Sequence, residues 1–258
     1  MVKLIDTHCH IYLKQFDDDL HQVLESARKQ GIARILMPNV DLETADRLHA
    51  VAAEWPDYCL PMMGLHPCDV NEDWEQELEQ IFELFDKHNY IAVGEIGLDL
   101  YWDKTTLPRQ LKALRCQLDF AVKKKLPVAL HSRDSNSEIL EVLQEYAGSG
   151  LTGVMHCFTG NREQAELAHK CGMMLGIGGV LTFKNGGLDP WIHEIPLEWL
   201  ILETDAPYLA PVPFRGKRNE PAYVWHVAKK LAELRNVSFG EIAEVTTANA
   251  IRLFHLSD

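Results

Sequence analysis

No two of the six cysteines (Cys9, Cys59, Cys68, Cys116, Cys157, Cys171) stand as a C-x-x-C pair, so the short-spaced redox and zinc signatures are missing. Several lie inside apolar runs, where reduced and packed thiols are the ordinary state. A reducing compartment is therefore expected. Long apolar runs are missing too: none approaches the roughly 18 residues of a membrane span. The chain enters an apolar segment at once, without the basic region and cleavage site of a signal peptide. Together these imply a cytoplasmic protein with no membrane partner. Positive charge is in deficit, with 25 Lys and Arg against 38 Asp and Glu and a formal net charge of -13. That balance excludes a protein that coats nucleic acid through a broad basic surface. A phosphate could still be held where bound divalent cations supply the local charge. There is no low-complexity tract, linker or repeat beyond a strand-helix unit. Residues 1–258 thus read as one domain, at a length that α/β barrels commonly fill alone.

What the chain does have is a regular alternation. Hydrophobic residues make up 47% of it, enough for a large core. Apolar runs at Lys3 to His10, Ala33 to Met37, Cys59 to Gly64, Ile91 to Glu95, Val128 to His131, Val154 to His156, Met173 to Ile177 and Trp199 to Glu203 read as strands. Between them, segments with apolar residues at i, i+3, i+4 and i+7 predict helices over Asp17 to Gln30, Leu42 to Glu54, Trp74 to Lys87, Leu107 to Lys124, Ser137 to Tyr146 and Arg162 to Cys171. Two more, Ala222 to Arg235 and Ser238 to Phe254, close the chain, the last with Ser238 and Glu241 spaced as a capping box. Eight such strands imply a parallel sheet covered by helices and closed as a TM-free α/β fold, the TIM (β/α)8 barrel. Connections are short except Thr182 to Pro196 and Tyr208 to Glu220.

Barrel enzymes carry their chemistry at the C-terminal ends of the strands. That rule gathers His8 and His10, His66, Glu95, His131, His156 and Asp205 at one mouth. The spacing of Asp6, His8 and His10 gives them one face of an extended strand, with Leu4 beneath. Each residue alone is a weak signal among twelve His; the recurrence of imidazole or carboxylate at the same relative place in five strands is the informative observation. Asp6 is a candidate to orient an imidazole through the nitrogen not bound to metal, or equally a polar residue of the barrel floor. Arg133 and Arg215, with Lys217 and Arg218 behind them, are candidate phosphate-side cations, and loops after the eighth strand of a barrel often bind phosphate. For Lys217 and Arg218 a solvated charge run is the competing reading.

At these positions the chain resembles the TatD family of metal-dependent deoxyribonucleases, within the metal-dependent hydrolase superfamily. The matching stretches are Asp6-Thr7-His8-Cys9-His10, Gly64-Leu65-His66-Pro67, Gly94-Glu95-Ile96-Gly97-Leu98-Asp99, His131-Ser132-Arg133, His156-Cys157-Phe158-Thr159-Gly160, Glu203-Thr204-Asp205-Ala206-Pro207-Tyr208 and Arg215-Gly216-Lys217-Arg218-Asn219-Glu220-Pro221. The resemblance implies two divalent ions, with His8, His10 and Asp205 on one, His131 and His156 on the other, and Glu95 bridging. It also implies Mg for nuclease activity, which two carboxylates with room for water can hold, whereas four imidazoles favour Zn, Mn or Fe on ligand preference, so Mg or Mn is expected for activity with Zn possible as bound. It implies as well a nucleic-acid substrate, single-stranded or damaged DNA cleaved from the 3′ end, with RNA a further candidate. Glu95, Asp205 and Glu203 are the expected catalytic carboxylates, and His66, Arg133 and Arg215 the expected substrate contacts. One departure is Phe214, where His or Tyr is as readily expected before Arg215. Hydrolysis of another ester or an amide on the same ions stays open, as does, less favourably, a non-catalytic metal-binding role. The sequence assigns no oligomeric state, and a monomer is compatible with it.

Overall fold

Short runs of Val, Ile, Leu and Met, each flanked by turn residues or glycine, form eight parallel strands around one axis. A computed structural model of the chain describes residues 3–257. The strands are β1 (Leu4–Asp6), β2 (Ile32–Met37), β3 (Cys59–Pro61), β4 (Val93–Asp99), β5 (Val128–Arg133), β6 (Gly153–Met155), β7 (Met173–Ile177) and β8 (Leu200–Leu202). Regular ladders join β1 to β3 and β4 to β8. The two arcs meet through backbone bonds outside the regular ladders: Met63 N–H donates to Ala92 O (3.3 Å) and Gly94 N–H to Met63 O (3.0 Å) on one side, and Thr7 N–H to Leu202 O (3.0 Å) and Asp205 N–H to His8 O (2.8 Å) on the other. The ring closes as the (β/α)8 barrel that the alternation predicts.

Each strand, or the residue beside its end in β3 and β4, sends a side chain inward. Ile5, Leu36, Met62, Ala92, Ala129, Val154 and Ile201 form one contiguous buried cluster, with Met174 of β7 packed against it and Leu253 and Phe254 from the last helix completing it. Only inward-facing residues from all sides of a ring can touch in this way. A large separate cluster lies between strands and helices. Each fully buried Leu, Ile or Met removes from water an area worth about 1.5–3 kcal/mol, and it is this filled interior that makes the strand ends a rigid platform.

The helices are α1 (Leu20–Lys29), α2 (Ala45–Glu54), α3 (Trp74–Leu84), α4 (Leu107–Lys124), α5 (Asn136–Glu145), α6 (Arg162–Lys170), α7 (Val224–Arg235) and α8 (Phe239–Phe254). Their ends follow local chemistry. Ser238 Oγ accepts from Glu241 N–H, one arm of the expected box, while a reciprocal box forms at α6 between Asn161 and Gln164. Among the described residues no helix is long and apolar enough to cross a membrane.

Three expectations are corrected. Strand β1 ends at Asp6 instead of His10, and its inward residue is Ile5, with Leu4 in the outer cluster and not beneath the histidines. Strand β3 stops at Pro61, three residues short of Gly64, although Met62 and Met63 still donate to Met37 O (2.8 Å) and Ala92 O (3.3 Å). Strand β4 starts two residues later than its apolar run and continues past Glu95 to Asp99, because Gly94 and Gly97 let it pack directly on β5. Gly97 sits at φ +148°, opposite His131, and a Cβ there would collide with the His131 carbonyl.

Candidate metal centre

Local backbone irregularities aim the mouth residues. Beyond Asp6 the chain stays wedged between its neighbours, with Cys9 N–H donating to Leu36 O (3.0 Å) and His10 N–H to Ala206 O (2.8 Å). This holds His8 and His10 buried. Glu95 is the extra residue of a β-bulge: Gly94 pairs with Ala129 and Ile96 with Leu130, leaving Glu95 without a ladder partner. Its N–H instead donates to Asn39 O (3.0 Å). Bulges beside active sites re-aim side chains in this manner. His156 directly follows β6, and its N–H donates to Leu130 O (2.9 Å). Asp205 takes a left-handed backbone (φ 58°) and donates its N–H to His8 O (2.8 Å), a conformation Asp tolerates better than most residues.

The side chains converge on the two oxygens of Glu95. Its Oε2 lies 3.1 Å from His8 Nε2 and 3.3 Å from His10 Nε2, which are 3.2 Å from each other. Asp205 Oδ1 stands 3.6 Å from His10 Nε2, 3.9 Å from His8 Nε2 and 3.8 Å from His156 Nε2. The other oxygen, Oε1, lies 2.9 Å from His131 Nδ1, 3.7 Å from His66 Nε2 and 3.9 Å from His156 Nε2. One carboxylate thus faces two groups of imidazoles, one on each oxygen.

The far nitrogens are held from behind. Asp99 Oδ2 is 3.0 Å from His131 Nε2, Glu203 Oε1 is 2.8 Å from His156 Nδ1, and Tyr12 Oη is 3.2 Å from His10 Nδ1. Glu203 also accepts from Cys157 N–H (2.6 Å), and its Oε2 is buried without a partner. Gly176 makes room for it, since a Cβ there would overlap Glu203 Oε2.

Burial disfavours a charge on Glu95, but His8, His66 and bonds from His10 and His131 hold its carboxyl well below the usual range. Burial, helped by His156, pushes His8 well down, and burial likewise lowers His66 to about 3. Both are therefore neutral, and each turns its Nε2 toward Glu95. Burial also opposes a charge on His156, yet Glu203 and Asp205 raise it to about 10, and burial lifts Asp205 to about 6. This donor set fits divalent cations. Ligands about 2.0–2.2 Å from a Zn-like ion stand roughly 3–3.5 Å apart, near the separations seen here, and ring nitrogens and carboxylate oxygens crowded to this distance are the donors a divalent cation takes.

The six expected ligands, His8, His10, Glu95, His131, His156 and Asp205, are thus brought together, and His66 stands with them, its ring 4.5 Å from that of His131. Arg133 and Arg215 lie outside the cluster, each stacked on an aromatic ring: Arg133 Cζ is 3.8 Å from the Tyr101 centroid and Arg215 Cζ 3.6 Å from that of Phe183. Phe214 stacks on Tyr223. Two expectations fail. Asp6 orients no imidazole: its carboxylate accepts from Thr204 N–H (2.9 Å) and Thr204 Oγ1 (2.6 Å), and His8 Nδ1 is left without a partner. Arg218 is neither a phosphate-side cation nor a solvated charge, because Asp19 takes it in a bidentate pair (2.8 and 2.6 Å) and Glu220 adds a third contact. Sequence reasoning missed Tyr12 and Asp99. Asp99 closes the matching stretch Gly94 to Asp99, four residues after Glu95, and was given no role; Tyr12 continues the alternate-residue spacing of His8 and His10.

Residues 5–255 match the family described as TatD related DNase. A Bacillus subtilis protein called uncharacterized metal-dependent hydrolase YabD is 40% identical over 255 residues, spanning 98% of this chain and 100% of its own. The 3'-5' ssDNA/RNA exonuclease TatD of Pectobacterium carotovorum is 33% identical over 260 residues, with 98% and 100% covered. The crystal structure of YJJV, a TatD homologue from Escherichia coli, aligns with a TM-score of 0.93 at 34% identity, covering 99% of each chain.

Proposed function

The chain belongs to the TatD-related DNase family of metal-dependent hydrolases, and from that premise we propose that its mouth hydrolyses phosphodiester bonds at the 3′ end of single-stranded DNA or RNA. The observation that carries the reading is the division of Glu95, whose Oε2 faces His8 and His10 while its Oε1 faces His131, His66 and His156. His8, His10 and Asp205 would hold one divalent ion and His131 and His156 a second, with Glu95 shared. Mg or Mn, with Zn as a competitor for the imidazoles, would supply Lewis acidity and lower the pKa of water toward neutrality. Asp99 fixes the ring orientation of His131 through the nitrogen that faces away, and Glu203 stands 2.8 Å from the corresponding nitrogen of His156. Asp205 accepts the proton of the attacking water through Oδ2, the oxygen not turned to the histidines. His66, Arg133 and Arg215 bind the phosphates that flank the scissile bond. A cytoplasmic setting is in keeping with six free thiols.

The test is a metal-reconstituted screen. Protein stripped by a strong chelator is expected to lose all turnover on single-stranded oligonucleotides, and Mg or Mn to restore it, with mononucleotides released from the 3′ end. Full activity of demonstrably metal-free protein would overturn the metal assignment. Restored turnover of aminoacyl esters or cyclic amides, with none on oligonucleotides, would replace the nuclease by the other hydrolase.

A further inference from the structure

Among the described residues four large hydrophobic side chains are exposed: Tyr101 (53%), Trp102 (73%), Tyr208 (49%) and Val212 (49%). All four lie on the loops that follow β4 and β8, at the mouth. Tyr101 and Trp102 meet edge to face, with centroids 4.9 Å apart and ring planes at 88°. Arg133 covers Tyr101, its Cζ 3.8 Å from that centroid and 5.5 Å from the Trp102 centroid, so Trp102 is the more open ring. An aromatic pair left in water beside a guanidinium, at a catalytic mouth, is unexplained by folding.

The pair is tied to the metal cluster. Tyr101 N–H donates to Asp99 Oδ1 (3.0 Å), and the other oxygen of Asp99 lies 3.0 Å from His131, whose far nitrogen faces Glu95. Behind the pair, Asp103 accepts from Thr105 N–H (2.8 Å) and its carbonyl from Thr106 Oγ1 (2.7 Å), fixing the turn into α4. The backbone that carries the rings is therefore tied through Asp99 to His131.

Resting on the nuclease reading above, we propose that Trp102 and Tyr101 form a stacking platform for one unpaired base of the substrate, with Arg133 bound to an adjoining phosphate. A π-face against a base is tolerant of sequence, and Arg beside it adds cation–π and phosphate contact, the recognition used for single strands. Duplex DNA keeps its bases in the stack and cannot offer a face, so the platform selects single strands. The chain carries a net charge of -13 and cannot draw a polyanion by its overall field. Local stacking supplies the affinity that bulk charge does not.

The experiment compares Trp102→Ala and Trp102→Phe with wild type, all Mn-loaded, on a short oligothymidylate and on bis(p-nitrophenyl) phosphate, a diester without bases. One stacked base is worth roughly tenfold in affinity. Trp102→Ala should thus raise KM on the oligonucleotide about tenfold more than on the base-free diester, and Trp102→Phe should recover most of the difference. Abasic substitutions walked in from the 3′ end should weaken wild type at one position by a similar factor and leave Trp102→Ala insensitive there. Equal losses on both substrates, or an unchanged oligonucleotide KM, would overturn the platform while leaving the nuclease intact. A wild type that cleaves the small diester and no oligonucleotide would overturn the nuclease reading, and the platform with it.

Discussion

At the scale of single residues the site turns on Glu95. Removing its charge while keeping its shape should empty the junction between the two imidazole groups. Even groups that only orient metal ligands are worth roughly 10–100-fold, so Glu95→Gln is expected to cut turnover by more than about a hundredfold and to lower metal content, with helical circular dichroism unchanged. Near wild-type turnover with two ions bound would remove Glu95 from the bridge. The identity of this residue was legible in the sequence, because it closes an apolar run between two glycines. Its direction was not: alternation along a regular strand assigns it one face, and the bulge that leaves it unpaired arises only when Gly94 and Ile96 find consecutive partners on β5. The same limit explains Asp6 and Arg218. Both have the residue type for the expected role, and both are taken by partners far along the chain, Thr204 and Asp19.

At the scale of elements, the segment carrying most of the site is β4, which supplies Glu95 and Asp99 and leads to the exposed aromatic loop. Its close approach to β5 depends on Gly97, at φ +148° against the His131 carbonyl. A side chain there meets both a forbidden backbone region and a steric overlap. Gly97→Ala should destabilise the protein by at least about 1–3 kcal/mol and, in whatever folds, displace His131. Urea unfolding and metal content measure the two effects; a variant as stable as wild type with full metal occupancy would show that β4 and β5 can part without consequence. Helix periods and turn residues marked nearly every element in advance. The ends of β1, β3 and β4 were misjudged because apolar composition does not mark where a regular ladder begins or gives way to isolated bonds, as it does after Asp6 and Pro61.

At the scale of the whole molecule, the metal-free cluster couples protons to folding. His156 rises from 6.5 to about 10, so its contribution is fully present below the unfolded value and is lost as pH rises through the folded one. Metal-free protein should therefore lose stability between pH 6.5 and about 10, its thermal midpoint falling across that window. With the ions bound, the slope should flatten, because a cation held by His156 would take the place of its proton. A midpoint independent of pH in the metal-free protein would contradict this account. Taken by itself, the sequence determined the class of fold, since eight apolar runs alternating with amphipathic helices have few other ways to bury both faces of a parallel sheet, and it determined the ligand types, since those sit at the same relative place in each run. Only the closed barrel decided which nitrogen of each imidazole turns inward, that Asp99 and Tyr12 stand behind His131 and His10, and that Trp102 stays in water. Those outcomes depend on contacts between strands far apart in sequence, and local pattern carries no information about distances across a ring.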